Sequence, residues 1–371
     1  MDRRSFITAS AASALAPATA AAAAGAGPAM LPGESRAWQI GPPGGFDTMR
    51  LVTRPLPAPG PGQVLVRVHL SAVAARDLGI VRGWFLEDKP PELVPLSEGV
   101  GTVIAAGDGV TQVQPGDRVT CAHFAGWTDG AWNPANYALD VGNTVDGWLA
   151  EHALLPASGL VVVPDGVSDE TAATLAGSGV TAWHALFGVA GCRPGDTVLT
   201  LGTGGVSTWG IQLARAAGAR VAVTSSSDAK LEQARALGAE FTVNYRREPD
   251  WGEAIHRLTG GVGIVLENVG RETLDQSMLA CRHNAMLVMI GTAPLPGQLP
   301  RMPGFYVRNL AMKAISNGSA RMLGELVRAC ASSRLTAVID REFSFADAPA
   351  AFTHLLENAP FGKVLVRHPP A

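Results

Sequence analysis

The chain has 371 residues, 47% of them hydrophobic and 16% charged, with a formal net charge of -3. This is apolar material for two or three domains, and it excludes disorder over most of the length. A near-neutral chain without a long basic run argues against nucleic acid as the main partner. The 4 cysteines, Cys121, Cys192, Cys281 and Cys330, lie far apart, with no C-x-x-C pair. Ribbon-type zinc sites and a dense disulfide scaffold are therefore unsupported. Four reduced, buried thiols are expected, with one long-range disulfide as the alternative.

Residues 1–27 read as an address. Arg3 and Arg4 precede Ser5, Phe6 and Ile7, and an Ala-, Ser- and Thr-rich stretch follows with Pro17 inside it. No acidic residue stands between Asp2 and Glu34. The segment resembles a twin-arginine export signal with A-x-A cleavage options. A plain Ala-rich leader carrying two chance arginines is the alternative. Ala is barely apolar enough for a membrane span, so none is expected. Twin-arginine export carries folded proteins, which suits an enzyme that loads its cofactor in the cytoplasm. The expected location is periplasmic, or cytoplasmic if the leader is not functional.

Short alternating strands are predicted at 49–52, 63–69, 101–106 and 118–122, separated by Pro- and Gly-rich turns. They predict a small, irregular β-barrel domain. The segment 121–150 is rich in Gly, Asn and Asp and reads as a surface lobe.

Residues 196–201 are a short apolar run without alternation, as expected of a strand buried on both faces. It leads into Gly202-Thr203-Gly204-Gly205-Val206-Ser207 and then an amphipathic helix that Gly218 stops. A second strand, 220–223, and a second helix, 228–237, follow. Strand, glycine turn, helix and strand form the setting of a dinucleotide fingerprint. Gly202 permits the tight turn. Gly204 and Gly205 let backbone approach a pyrophosphate seated on the helix N-terminus. Ser207 stands at the third glycine position and is small enough for close helix–strand packing. Further βα units are predicted around strands at 240–244, 262–267 and 285–291.

The end of the second strand selects the cofactor. An acidic residue there would bind the adenosine ribose of NAD. Instead Thr224, Ser225, Ser226 and Ser227 precede the helix, with Lys230 one turn in and Tyr245-Arg246 ending the next strand. Hydroxyls and a cation at a helix N-terminus make a phosphate pocket, so NADP is expected over NAD. Ser226 or Ser227 also reads as the helix cap.

PGPGQVLVRV, EGVGTVIAAGDGV, VQPGDRV and FGKVLV, in this order around the glycine-rich unit, resemble the medium-chain dehydrogenase/reductase superfamily. Within it the chain is similar to the zinc-independent quinone reductase-like branch, which includes enzymes labelled alcohol dehydrogenases. The resemblance covers about residues 36–371. It implies an α/β fold: a Rossmann doubly wound parallel sheet plus a GroES-like irregular β-barrel domain. The expected bounds are 36–165 for the GroES-like substrate domain, 166–318 for the cofactor domain, and 319–371 for a return to the substrate domain. A homodimer is implied as well.

The resemblance also assigns positions. Zinc-containing relatives take metal ligands where this chain has Ala74, Ser97 and Gly177. Zinc needs three or four N, S or O donors, so neither zinc nor another metal is expected. Relatives carrying an Asn where Ala74 stands could orient substrate with it; here that group is missing. Thr181 is expected near the nicotinamide, Gly291-Thr292 beside it, and Asn317-Gly318 on the far side. Lys363 is expected to reach cofactor phosphate or to be a solvated strand charge. Arg76 is the candidate for polarising a carbonyl, or it pairs with Asp77 or Glu98. Trp84, Phe85, His123, Phe124 and Trp127 form the pocket wall for an apolar or aromatic small molecule, or they are core of the 121–150 lobe. The implied activity is hydride transfer between NAD(P)H and an activated C=C, quinone or carbonyl. The alternatives are alcohol/aldehyde oxidoreduction and a nucleotide-binding protein with little turnover.

Overall fold

The computed structural model describes residues 33–41, 45–83, 92–291 and 300–370. The leader with Arg3 and Arg4, and also Trp84, Phe85 and Thr292, lie outside the described residues.

Six strands form one parallel sheet. Their spatial order is Phe241–Asn244, Arg220–Ser225, Thr197–Leu201, Val262–Glu267, Cys281–Met289, Ala311–Ala314. Thr197–Leu201 is buried along its whole length, which is why its sequence does not alternate. Each strand nonetheless sends successive side chains to opposite faces. Val198, Val221, Val223, Ile264 and Leu266 pack with Trp209, Ile211, Leu213 and Leu231 from helices Gly205–Ala216 and Asp228–Ala236. Leu199, Ala222, Val265 and Leu287 pack on the other face with Trp251, Ile255, Leu274 and Met278 from helices Trp251–Thr259 and Leu274–Ala280.

Thr197–Leu201 and Val262–Glu267 are neighbours whose following helices leave on opposite faces. A crevice therefore opens outside their carboxyl ends, the position where doubly wound sheets bind ligands. The glycine turn starts there. Gly202 has φ of 72°, a left-handed conformation that favours glycine.

The second sheet has seven strands centred on Gln63–Val73. That strand pairs antiparallel with Lys363–Arg367, Glu98–Ala106 and His152–Pro156. Ile339–Ser344 lies beyond Lys363–Arg367, while Arg118–Cys121 and Leu160–Val162 continue past Glu98–Ala106. The C-terminal part of the chain thus returns to the sheet built from its N-terminal part. Val64, Val66 and Val68 alternate into a core with Trp148, Leu149 and Phe352. The sheet architecture is the predicted α/β fold with a Rossmann unit and a separate mixed sheet.

Between the sheets runs a broken helical stretch over 169–189. It contains two widened turns of π-helical hydrogen bonding, Leu175–Gly179 and His184–Val189. Such turns interrupt the regular face of a helix and recur at functional sites. Gly177 and Thr181 lie in this stretch. Among the described residues no helix is long and apolar enough to cross a membrane.

All four cysteines are free and buried. Burial pushes the thiols of Cys121, Cys281 and Cys330 up to about 12 and that of Cys192 up to about 11. Thiols of this kind are protonated and inert. The native protein is expected to react negligibly with a thiol reagent within minutes at pH 8, and to release all 4 thiols when denatured without reductant. A count of two after denaturation would reveal a disulfide.

Candidate active site

Three segments converge beside the glycine turn: the carboxyl end of Gln63–Val73 with the helix Ala75–Val81, the start of Glu98–Ala106, and the stretch 175–181. Arg76 projects from the first turn of Ala75–Val81. Its Nη2 donates to Asp140 Oδ2 at 2.8 Å, and its Nη1 to Asp140 Oδ1 at 3.0 Å and Ser97 Oγ at 2.9 Å. The Asp140 side chain is 0% exposed and that of Arg76 18%. Ser97 Oγ in turn donates to Asp77 Oδ1 at 2.9 Å, and the Ala74 amide donates to Asp77 Oδ2 at 2.8 Å. Asp140 is fixed from its own side by Asn143 Nδ2 at 2.9 Å. The planar guanidinium is thus held in one plane by a two-pronged carboxylate contact. The carboxylate that grips Arg76 with two hydrogen bonds is Asp140 rather than Asp77 or Glu98, the expected partners, and Asp77 lies close enough to feel its charge. Asp140 comes from the 121–150 lobe and was not anticipated. The only sequence signal for it is an acid inside the apolar run Ala138-Leu139-Asp140-Val141.

Glu98 is also buried. Its Oε1 accepts from the Ser178 amide at 2.6 Å, and its Oε2 lies 2.8 Å from Lys363 Nζ. Burial pushes the Glu98 carboxyl above the usual range, and the Lys363 ammonium opposes that rise. Asp77 is likewise raised by burial, with Arg76 opposing. Gly177 leaves the room that Glu98 needs, since a Cβ there would sit 1.8 Å from Oε1.

On the side facing the parallel sheet, Thr181 Oγ1 donates to the Gly177 carbonyl at 2.7 Å and to Asn317 Oδ1 at 3.3 Å. Asn317 Nδ2 donates to the His123 imidazole and to the Ala176 carbonyl at 3.0 Å. Asn317 adopts φ of 73°, a conformation that Asn tolerates better than most residues. Gly318 packs against Val180. Burial holds the His123 imidazole well below its ordinary range, with Arg76 adding to the effect. His123, Thr181, Asn317 and Gly318 are thus brought together, and Arg76 faces the same group. Phe124 and Trp127 are buried in the lobe, packed with Trp132, Tyr137 and His184. The Arg76 guanidinium lies 5.8 Å from the Phe124 ring centroid. Of the two readings of these aromatics, lobe core describes their packing, with Arg76 at its edge.

At the crevice, Ser207 Oγ donates to the Leu201 carbonyl at 2.8 Å. Asn268 Nδ2 donates to Ser207 Oγ at 2.9 Å and to Thr200 Oγ1 at 3.2 Å. Ser207 at the third fingerprint position therefore ties helix to strand as well as being small. Asn268 is a second residue the sequence reading missed; it clamps the two strands that border the crevice. The Gly291 amide donates to the Glu267 carbonyl at 2.9 Å, beside the same crevice. Ser225 is buried, and its hydroxyl accepts from the Ser227 amide. Ser227 caps the helix Asp228–Ala236. Asp228 is held by Asn244 at 2.6 Å and by Arg247. Lys230 Nζ donates to the Ala359 carbonyl, and Tyr245 is exposed.

Residues 60–165 match the family model for the alcohol dehydrogenase GroES-like domain, and residues 205–332 that for zinc-binding dehydrogenases. A zinc-type alcohol dehydrogenase-like protein of Schizosaccharomyces pombe is 37% identical over 334 residues, covering 87% of this chain and 96% of its own. This chain is a medium-chain dehydrogenase/reductase. Among solved structures, a candidate alcohol dehydrogenase from Sinorhizobium meliloti 1021 superposes with a TM-score of 0.85 at 34% identity, over 91% of this chain and all of that one. An NAD-dependent alcohol dehydrogenase superposes with a TM-score of 0.81 at 31% identity, over 90% and 99%. The enzyme is an alcohol dehydrogenase-like oxidoreductase that uses a nicotinamide dinucleotide.

The zinc of the family name does not fit the donors found here. Ala74 and Gly177 offer no donor atom, and Ser97 is spent on Asp77 and Arg76. Among the described residues no group of three or more His, Cys, Asp or Glu side chains is placed to hold a metal ion. Gly177→Ala tests the tight packing against Glu98. The added methyl is expected to cost about 1–3 kcal/mol, read as a lowered unfolding midpoint. Unchanged stability would mean that Glu98 does not occupy this space.

Proposed function

We propose that this enzyme is a zinc-independent reductase that uses NADPH in preference to NADH and transfers hydride to a conjugated acceptor, an enone or a quinone. The observation that carries the reading is Arg76, held by Asp140 and Ser97 among the positions from which zinc-containing relatives draw their metal ligands. A fixed guanidinium supplies positive charge where negative charge grows on a substrate oxygen. A conjugated acceptor needs no stronger electrophile, because its reacting carbon is already electron-poor. The electron pair that leaves the reacting carbon comes to rest on the substrate oxygen, and water supplies the proton.

The residues fit a dinucleotide. The glycine turn and the N-terminus of Gly205–Ala216 would hold its pyrophosphate. Thr181, Gly291 and Asn317 would border the nicotinamide ring, which when bound supplies hydride from its C4 carbon. Ser225, Ser226, Lys230 and Tyr245 support NADPH, as does the absence of an acid at the strand end. Asp228, the nearest acid, is already engaged by Asn244 and Arg247. Phe124, at the edge of the lobe core beside the Arg76 guanidinium, favours an apolar or aromatic substrate. The twin-arginine leader and the homodimer belong to the same proposal.

A second reading, alcohol/aldehyde oxidoreduction, is favoured by the names of the relatives. Steady-state oxidation of NADPH and NADH with a panel of quinones, enones and aldehydes separates the two. Conjugated acceptors with NADPH are expected to give the highest kcat/KM. Asp140→Asn, which leaves the guanidinium without its carboxylate, is expected to lower that value by about a hundredfold with little change in dinucleotide affinity. Tight dinucleotide binding with no turnover on any acceptor would make the protein a nucleotide binder instead.

A further inference from the structure

Lys363 sits where the two sheets meet. Its side chain is 3% exposed, and its ammonium donates to the Val73 carbonyl at 3.0 Å while pairing with Glu98 at 2.8 Å. Val73 ends the central strand of the mixed sheet, and Glu98 starts its neighbour. Glu98 also holds the Ser178 amide. The stem of Lys363 runs beneath the glycine turn: a Cβ added to Gly205 would lie 2.5 Å from Lys363 Cδ and 2.7 Å from Ser178 Oγ. One residue earlier, the Gly362 amide donates to the Thr203 carbonyl at 2.9 Å, and Gly204 forms an isolated bridge with Gly362. The turn is therefore bolted through its backbone to the start of Lys363–Arg367, and it rests on the lysine stem.

The ammonium already serves the Val73 carbonyl and Glu98, so at most its third N–H is left for a cofactor phosphate, and turning wholly to phosphate would leave a buried carboxylate without its countercharge. We propose that Lys363 is a positioning residue: the Lys363–Glu98 pair sets how the glycine turn stands against the mixed sheet, and so where the dinucleotide is presented to Arg76. The proposal rests on the reading that this turn binds the dinucleotide. It also assigns Gly205 a second duty, room for the lysine stem, beside any approach to phosphate.

Two models of Lys363 predict opposite effects of Glu98→Gln. If the lysine binds phosphate directly, loss of the competing carboxylate frees it and tightens binding. If the pair positions the turn, the same change loosens binding. Dissociation constants for NADPH and NADH, followed by tryptophan fluorescence of the full chain, read the difference. Glu98→Gln and Lys363→Met are each expected to weaken both dinucleotides by roughly tenfold, equally for the two, and to lower the unfolding midpoint. The double variant Glu98→Gln/Lys363→Met leaves no unpaired charge and is expected to regain the midpoint but not the affinity. A merely structural pair would regain both. If a single variant fails to fold, the double variant decides alone. Glu98→Gln binding as tightly as the wild type, or a double variant with wild-type affinity, would overturn the proposal. Wild-type protein that binds neither dinucleotide would overturn the cofactor reading, and this proposal with it.

Discussion

A carboxylate without access to water must be matched by donors that the fold itself supplies. Glu98 is such a group, and its demands reach into three segments. Gly177 gives it space, Ser178 gives it an amide, Lys363 gives it a cation, and Gly205 gives the lysine stem room to pass. One residue earlier in the chain the same rule governs Arg76, Asp140, Ser97 and Asp77. Asp77, Glu98 and Asp140 thus face Arg76 and Lys363 in one interior cluster, on the boundary between the mixed sheet and the crevice. The chemistry available at that boundary follows from how these charges are paired.

The parallel sheet was legible because buried strands read as unbroken apolar runs and the turn between them is rich in glycine. Val262–Glu267 matches its predicted bounds. Glu98–Ala106 starts three residues before its predicted start, because a glutamate and a glycine at a strand entrance carry no alternating signal. The side-chain pairing was harder to read. The sequence reading pairs Arg76 with Asp77 or Glu98, whereas the carboxylate that grips it is Asp140, brought in by a lobe whose fold depends on distant contacts. Lys363 read as a phosphate or surface lysine, because strand patterning says which face a residue takes but not what countercharge waits there.

The lobe that delivers Asp140 is anchored through residues 127–129. Trp127 and Thr128 accept backbone hydrogen bonds at 2.9 and 3.0 Å from Ala320 and Arg321, at the start of the helix Ala320–Ser333. Arg321 pairs with Asp129 at 2.6 Å. The left-handed Asn317 lies just before this helix and holds His123 and Thr181 together. The aromatic core of the lobe and the polar group of His123, Asn317 and Thr181 are therefore set by one set of contacts. A substitution in the lobe is felt at both.

The proposed hydride transfer without metal can be followed as isotope transfer by a metal-depleted enzyme. Enzyme dialysed against a chelator, with its zinc content measured, would be given NADPH deuterated at the transferable C4 position and a conjugated acceptor. One deuterium is expected at the reduced carbon of the product, formed at an undiminished rate by enzyme free of zinc. Activity lost in proportion to the zinc removed, and restored when zinc is returned, would contradict it.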